Sequence, residues 1–137
     1  MNYNKETLSR YVNSQINDID VEMIPILIEL NSKGYRTLFC CQGHTEKTNK
    51  NQRCSIYISF NNKKEDFEFF PKQYDRNGNK KYSKIKFREK NSNYNININT
   101  TLYYYTSKTT KYDKKENERK EIINLLYSWA KDLPSLL

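Results

Sequence analysis

The 137-residue chain is poor in the residues that mark several classes of protein. It has only three glycines, three prolines, three cysteines and one histidine. An odd number of cysteines, two of them adjacent, does not indicate the disulfide framework of a small secreted domain. No apolar run reaches the roughly 18 residues of a membrane helix, and the N-terminal sequence lacks the apolar core of a secretion signal. The sequence therefore predicts a cytoplasmic protein that does not associate with membranes.

Positive charge is what the chain has in excess. The formal net charge is +8, and the segment from Pro71 to Lys111 has ten basic and two acidic residues. The remaining positions are balanced, so the whole excess belongs to this segment. Such a concentration of charge is typical of a surface that binds a polyanion.

Alternating residue types predict two strands in the basic segment. In KKYSKIKFREK, residues 80–90, every even position except Tyr82 is basic, whereas Ile85 and Phe87 are odd. In YNININTTLYYY, residues 94–105, a row rich in apolar residues alternates with asparagine and tyrosine. Paired as a hairpin, these strands would bury one face and expose a basic face. The predicted nucleic-acid-binding residues of that face are Lys80, Tyr82, Lys84, Lys86, Arg88, Lys90, Asn95, Asn97, Asn99, Tyr103 and Tyr105.

The residue types of this face suit RNA. Lysine and arginine neutralise phosphates, tyrosine rings stack on unpaired bases, and asparagine hydrogen-bonds to base edges. Two alternatives stay open. The face of an antiparallel sheet that meets water is polar in any case, and edge lysines prevent sheets from aggregating. The face would also suit an acidic protein partner. The charge distribution favours RNA or a ribonucleoprotein as the partner.

Helical and strand patterns account for most of the remaining chain. Asp20–Lys33 and Lys115–Leu133 have apolar residues at helical spacing, and in the second segment the charged residues fall on the opposite side. A shorter helix is expected near the N-terminus. Tyr35–Cys41 and SIYISF, Ser55–Phe60, predict two further strands, and in SIYISF the tyrosine faces outward. The phenylalanine-rich residues 63–70 fit either a helix or a strand.

This order of elements predicts an α+β fold. No linker rich in glycine, proline or serine divides the chain, and no internal repeat is visible, so residues 1–137 are expected to form one domain. Short connections favour an antiparallel sheet of about four strands, with the helices packed on one face.

The sequence GYRTLFCCQGH, residues 34–44, groups cysteines with the only histidine. Structural zinc sites use four ligands, commonly as two closely spaced pairs. Cys41 and His44 make one such pair, but Cys54 has no closely spaced partner. Adjacent cysteines of a strand also point to opposite faces. No metal or other cofactor is therefore expected, and Cys41, His44 and Cys54 are the candidate ligands if one is bound.

His44 also has a candidate role in catalysis. Histidine is the side chain whose unperturbed pKa lies near neutrality, so a small ribonuclease acting on tRNA or other structured RNA would use His44 as general acid or base. Two alternatives are that His44 recognises a ligand, or that it only caps a turn beside cysteines buried as small hydrophobes. A binding protein without enzymatic activity is the expectation.

The sequence LNSKGYRTLFCCQGH, followed by YISF, resembles a module of small proteins of uncharacterised function from Gram-positive and related bacteria and their phages. It covers Leu30–Phe60. The same segment is distantly similar to the Ser-Ser-Cys-x-Gly-Arg motif of the methyltransferases that complete wybutosine in tRNA. Cys40, Cys41, Gly43 and His44 occupy the Ser, Cys, Gly and Arg positions. These resemblances imply proximity to RNA and a mobile-element origin, as for an anti-CRISPR inhibitor of a bacterial RNA-guided nuclease.

Overall fold

A computed structural model describes residues 2–12, 16–41, 51–72, 75–76, 80–88 and 98–137. At residues 18, 39, 41, 75, 76, 80 and 81 it describes the backbone alone. Among these residues there are three α-helices: α1 (Lys5–Leu8), α2 (Ile24–Ser32) and α3 (Tyr112–Asp132). Three short 3-10 turns lie at Ile16–Asp18, Val21–Met23 and Lys64–Asp66. None of the helices in the described ranges is both long enough and apolar enough to cross a membrane.

Local sequence explains where the first two α-helices begin and end. The side chain of Asn4 accepts a hydrogen bond of 2.8 Å from the backbone N–H of Thr7, which caps α1. Pro25 lies in the first turn of α2, where its missing N–H leaves no intrahelical bond unmade. Gly34 follows this helix with a φ of +96°, a left-handed conformation that favours glycine and stops the helix.

The described residues include six strands: β1 (Thr37–Cys41), β2 (Ser55–Phe60), β3 (Asp75–Arg76), β4 (Lys80–Lys81), β5 (Ser83–Phe87) and β6 (Thr100–Tyr105). Four of them form one sheet in the order β1-β2-β6-β5, and every neighbouring pair is antiparallel. β3 and β4 form a separate two-stranded sheet. The predicted α+β fold with a four-stranded antiparallel sheet is therefore confirmed.

The two strands predicted in the basic segment are shorter than expected. The chain changes strand partner at Tyr82, because β4 pairs with β3 whereas β5 pairs with β6. The prediction of one continuous strand over residues 80–90 is therefore wrong. In the second segment β6 begins only at Thr100, after Ile98 and Asn99, and residues 91–97 lie outside the described ranges. The antiparallel pairing of the two segments is confirmed in β5 and β6.

The helices pack on one face of the sheet, as predicted. The buried side chains of that face come from alternate positions of the central strands, and they join those of α2 and α3 in a single core. Trp129 of α3 contacts Phe60 of β2 edge to face, with the ring centroids 6.2 Å apart. Burying side chains of this size stabilises the fold by about 1.5–3 kcal/mol each. The apolar side of α3 is buried as the sequence predicts, through Ile122, Ile123, Leu126, Trp129, Ala130 and Leu133.

The phenylalanine-rich segment closes the core as a 3-10 turn followed by extended chain, so it forms neither a regular helix nor a strand. The ring of Phe67 lies 5.1 Å from that of Phe60, measured between centroids. Two hydrogen bonds to backbone carbonyls fix the extended part. Trp129 Nε1 donates to Phe69 at 3.0 Å, and the Tyr104 hydroxyl donates to Lys72 at 2.8 Å. These buried polar groups are thereby satisfied.

Charged residues of α3 are also buried, which corrects one expectation. The predicted separation of charges from the apolar side is wrong for Lys115, Glu118 and Arg119, which are all less than a tenth exposed. Arg119 donates to Glu22, at 3.0 and 2.7 Å, and to Glu116. The hydrogen bonds to Glu116 and Glu22 raise the pKa of this guanidinium despite its burial. The ion pair with Glu22 connects α3 to the 3-10 turn that precedes α2.

The turn after α2 is bound to the end of α3. Lys33 Nζ donates to the carbonyl oxygens of Ala130 and Lys131, each at 2.7 Å. A cation at a helix C-terminus satisfies carbonyls that lack intrahelical donors and opposes the negative end of the helix dipole. Two residues further on, the hydroxyl of Tyr35 donates to the carbonyl of Pro134 at 2.7 Å. The connection between α2 and β1 is thus held by residues about a hundred positions away.

Candidate nucleic-acid interface

The candidate site is the face of the four-stranded sheet opposite the helices, which we call the open face. Antiparallel register aligns residues of three strands on it: Tyr57 and Ser59 of β2, Thr101, Tyr103 and Tyr105 of β6, and Lys84 and Lys86 of β5. The four strands contain no aspartate or glutamate, and the two lysines are their only charged residues. The strands therefore give this face positive charge alone.

Three tyrosines form a row at the centre of the open face. Tyr103 and Tyr105 are two residues apart on β6, so their side chains leave the same side of the strand. Their rings are parallel to within 4°, with centroids 6.5 Å apart. Tyr57, the register partner of Tyr103 on β2, places its ring 6.2 Å from that of Tyr103 and tilted by 40°. All three residues are half-buried, so part of each meets solvent.

Two lysines of β5 lie beside this row. Lys84 is the register partner of Tyr103, and its Nζ lies 5.3 Å from the ring centroid of Tyr103 and 5.8 Å from that of Tyr105. Lys86 Nζ lies 5.6 Å from the centroid of Tyr103. Both lysine side chains are exposed. At exposed sites a cation over an aromatic ring gains about 0.5–1 kcal/mol, so these ammonium groups are held near the rings only loosely.

The part of the open face between the tyrosines and Lys86 is formed by two small polar residues that are almost inaccessible to solvent. Ser59 and Thr101 are register partners, and their side-chain oxygens lie 3.1 Å apart in a hydrogen bond. Each residue is only 6% exposed. A ligand on the open face would therefore meet the tyrosine rings and the lysine ammonium groups that stand above these two residues.

Tyr82 departs from the role that the sequence predicts for it. Its side chain is 6% exposed, and the guanidinium carbon of Arg53 lies 5.8 Å from its ring centroid. The expectation that Tyr82 presents its ring to solvent beside the lysines is therefore wrong. The carbonyl of Tyr82 still accepts a hydrogen bond from the backbone N–H of Tyr105 at 2.8 Å. The alternation of the basic segment does not record the neighbours that cover this ring, among them Arg53.

The two predicted residues at the other end of this strand pair take different roles. Asn99 is half-buried, and its Nδ2 donates to the backbone oxygen of Asn61 at 2.5 Å. This amide therefore joins β6 to the chain after β2 instead of standing on the open face. Arg88 is exposed and follows β5 directly, and its backbone N–H donates to the carbonyl of Asn99 at 2.8 Å. Arg88 continues the basic row of Lys84 and Lys86.

Several predicted residues lie outside the described part of the chain. They are Lys90, Asn95, Asn97 and His44, together with the side chain of Lys80, whose backbone pairs with Arg76. Their predicted roles stay predictions, including that of His44 as general acid or base.

The cysteines occupy separate environments. Register places Cys40 opposite Ile58 and Cys41 opposite Tyr57, so the adjacent cysteines take positions on different faces, as predicted. Cys40 packs against the core. Cys54 is 4% exposed, and its backbone N–H donates to Thr106 Oγ1 at 2.8 Å. In the described ranges no three side chains of His, Cys, Asp or Glu are grouped as metal ligands would be. The side chain of Cys41 and all of His44 lie outside those ranges.

Sequence reasoning missed two residues of this region, Tyr57 and Arg53. The alternation in SIYISF does predict that Tyr57 faces outward, but it does not indicate which tyrosine lies beside it. That neighbour follows from the strand order, which places β2 next to β6. Arg53 is exposed and precedes β2 outside the segment of excess charge, so no local pattern connects it with Tyr82.

Similarity to known proteins adds no constraint on the open face. Comparison of the chain with protein-family models, with curated proteins and with solved structures finds no match.

Proposed function

We infer that the protein binds RNA without enzymatic activity, and that the open face is the binding surface. One observation carries this proposal. Two exposed lysines flank a row of half-buried tyrosines on a sheet whose strands contain no acidic residue. Solubility alone would be served by charges of both signs distributed over the face, without aromatic rings between them.

The two kinds of side chain supply complementary interactions. Lysines neutralise phosphates and release condensed counterions, which contributes affinity for any RNA sequence. Tyrosine rings bring apolar area and can stack on bases, at about 1–3 kcal/mol per base. Because Lys84 Nζ lies within 6 Å of two ring centroids, one nucleotide could contact both kinds of group. The cluster therefore suits a ligand that combines flat rings with negative charge.

The same surface would suit the RNA of a nucleoprotein. A protein that covers guide or target RNA would inhibit a bacterial RNA-guided nuclease, the role implied by the resemblance to small phage proteins. A ribonuclease acting on tRNA is the alternative. It would depend on His44 as the only histidine of the chain, whereas the binding function rests on lysines and tyrosines that lie together on the open face, and we prefer it for that reason.

Charge reversal on the open face tests the proposal. In Lys84→Glu/Lys86→Glu/Arg88→Glu, affinity for a fluorescein-labelled oligouridine, measured by fluorescence anisotropy, is expected to fall below detection. Lys5→Glu/Lys114→Glu/Lys120→Glu is a matched control, because these exposed residues lie on the helices and the change in net charge is the same. The control is expected to retain most of the wild-type affinity.

The outcomes separate the alternatives. Unaltered affinity in the open-face variant, with unchanged circular dichroism, would contradict the proposal. Equal losses in both variants would mean that net charge alone attracts the RNA, and would contradict a specific surface. Capture of an acidic protein by the wild-type chain, without RNA and with no affinity for the oligouridine, would assign the face to a protein partner instead.

A further inference from the structure

The tyrosine pair on β6 has a spacing that matches nucleic-acid stacking. Successive residues on one side of a strand are about 6.4–6.8 Å apart, and the ring centroids of Tyr103 and Tyr105 follow this spacing at 6.5 Å. Bases of a nucleic-acid strand repeat about every 3.4 Å, so two stacking steps span about 6.8 Å. The rings are also parallel to within 4°. The pair thus offers two aligned aromatic planes at an interval that stacked bases can match.

The rings are held in place before any ligand binds. Tyr57 supports Tyr103 from β2 at a centroid distance of 6.2 Å. Both members of the pair are half-buried, so their motion is restricted while part of each ring stays accessible. A tyrosine side chain has only two rotatable angles, so ordering it further on binding costs little entropy.

Two ammonium groups lie close enough to the ring of Tyr103 to reach the phosphate of a nucleotide stacked on it. Lys84 Nζ and Lys86 Nζ are 5.3 and 5.6 Å from the ring centroid of Tyr103. Both lysine side chains are exposed. The two lysines can therefore turn from the ring toward phosphates without any change in the backbone.

Paired RNA does not suit this arrangement. In an A-form duplex the faces of the bases are covered by their neighbours in the stack, and the wide minor groove presents only base edges and hydroxyl groups. A ring pair on a sheet would meet no open face of a base. We propose that Tyr103 and Tyr105 stack on unpaired bases, so that the ligand of the open face is a single-stranded segment of RNA. This inference rests on the proposed RNA-binding function.

Two probes and two kinds of variant test it. The probes are the labelled oligouridine and a blunt RNA duplex of the same length, with unlabelled heparin as a competing polyanion that has no bases. Tyr103→Leu and Tyr105→Leu remove the rings but keep apolar volume, whereas Tyr103→Phe and Tyr105→Phe keep the rings. We expect the wild type to prefer the oligouridine over the duplex. Each leucine variant should bind the oligouridine about 5- to 150-fold more weakly, and each phenylalanine variant should remain close to wild type.

The outcomes distinguish a failure of base stacking from a failure of RNA binding. If the leucine variants bind as tightly as the wild type, or if duplex and oligouridine bind equally, base stacking is refuted while RNA binding stands. If heparin displaces the oligouridine at the same concentration from the wild type and from the leucine variants, stacking is again refuted. If neither RNA binds the wild type, the proposed function itself fails. Comparing the two probes on the wild type requires no substitution, so it decides the matter even where a leucine variant does not fold.

Discussion

The salt dependence of RNA binding is a quantitative prediction from the cations of the open face. In the described part of the chain, the exposed cations on the face or at its border are Lys84, Lys86, Arg88 and Arg53. Each phosphate that is neutralised on a single strand contributes about −0.7 to the slope of log affinity against log salt concentration. Four contacts therefore give a slope of about −2.8, so the Kd should rise about sevenfold between about 100 and 200 mM salt.

Removing two of these charges should reduce the slope in proportion. In Lys84→Gln/Lys86→Gln about two contacts remain, so the slope should be near −1.4 and the same salt increase should raise the Kd by only about 2.6-fold. Anisotropy titrations of the oligouridine at several salt concentrations measure both slopes. Lys114→Gln/Lys120→Gln is the control, because these exposed lysines lie on α3, which covers the opposite face of the sheet.

A slope near zero in the wild type would refute the reasoning, since the lysines would then contact no phosphate. The same slope in the wild type and in Lys84→Gln/Lys86→Gln would also refute it, because the contacts would have to come from other cations. A reduced slope in the control alone would assign binding to the helical side of the protein.

Two further predictions concern the core. Burial raises the pKa of the Tyr104 hydroxyl, so above about pH 10 the unfolded chain loses a proton that the folded chain keeps. The free energy of unfolding should therefore fall by up to about 1.4 kcal/mol per pH unit as the pH rises, and it should fall less steeply in Tyr104→Phe. Equal slopes in urea titrations between about pH 9 and pH 11 would contradict this. Arg119→Ala should lower the free energy of unfolding by about 2–3 kcal/mol, below the 3–5 typical of buried pairs, because the side chain of its partner Glu22 is 39% exposed. An unchanged urea midpoint would show that the ion pair adds no stability.

Local periodicity predicted the elements whose burial in the fold follows the spacing of their own apolar residues. The bounds of β2 agree with the sequence expectation because polar or tyrosine positions alternate with buried apolar ones up to Phe60. α3 contains the predicted apolar side, although it also buries three charged residues. Arg119 and Glu118 bind Glu22 and Ser107, which lie outside α3, so the helical period does not indicate their burial. The segment around Phe67 fitted both regular patterns and forms neither, because its structure depends on contacts of Phe67 with Trp129, which lies far away in sequence, and with Phe60.

The candidate site was predictable where it lies within one regular strand. Lys84, Lys86, Tyr103 and Tyr105 come together because β5 and β6 keep the expected antiparallel alternation. Tyr82 does not join them, because its side chain is buried beside Arg53, a residue that lies before β2 and outside the basic segment. Local patterns likewise do not predict the role of a residue such as Asn99, whose side chain donates to backbone distant in sequence.

The binding of the α2–β1 turn to the end of α3 has a consequence for the order of folding during synthesis. All four strands of the main sheet precede α3 in the chain, so the ribosome makes the whole sheet before the helix that covers much of its apolar face. At about 5–20 residues per second, the 21 residues of α3 leave that face unprotected for roughly one to four seconds. During this interval Lys33 and Phe60 lack their contacts with Ala130 and Trp129 of α3. A chain stalled before Tyr112 would thus expose apolar side chains of its sheet, and surface exposed in this way is prone to aggregate.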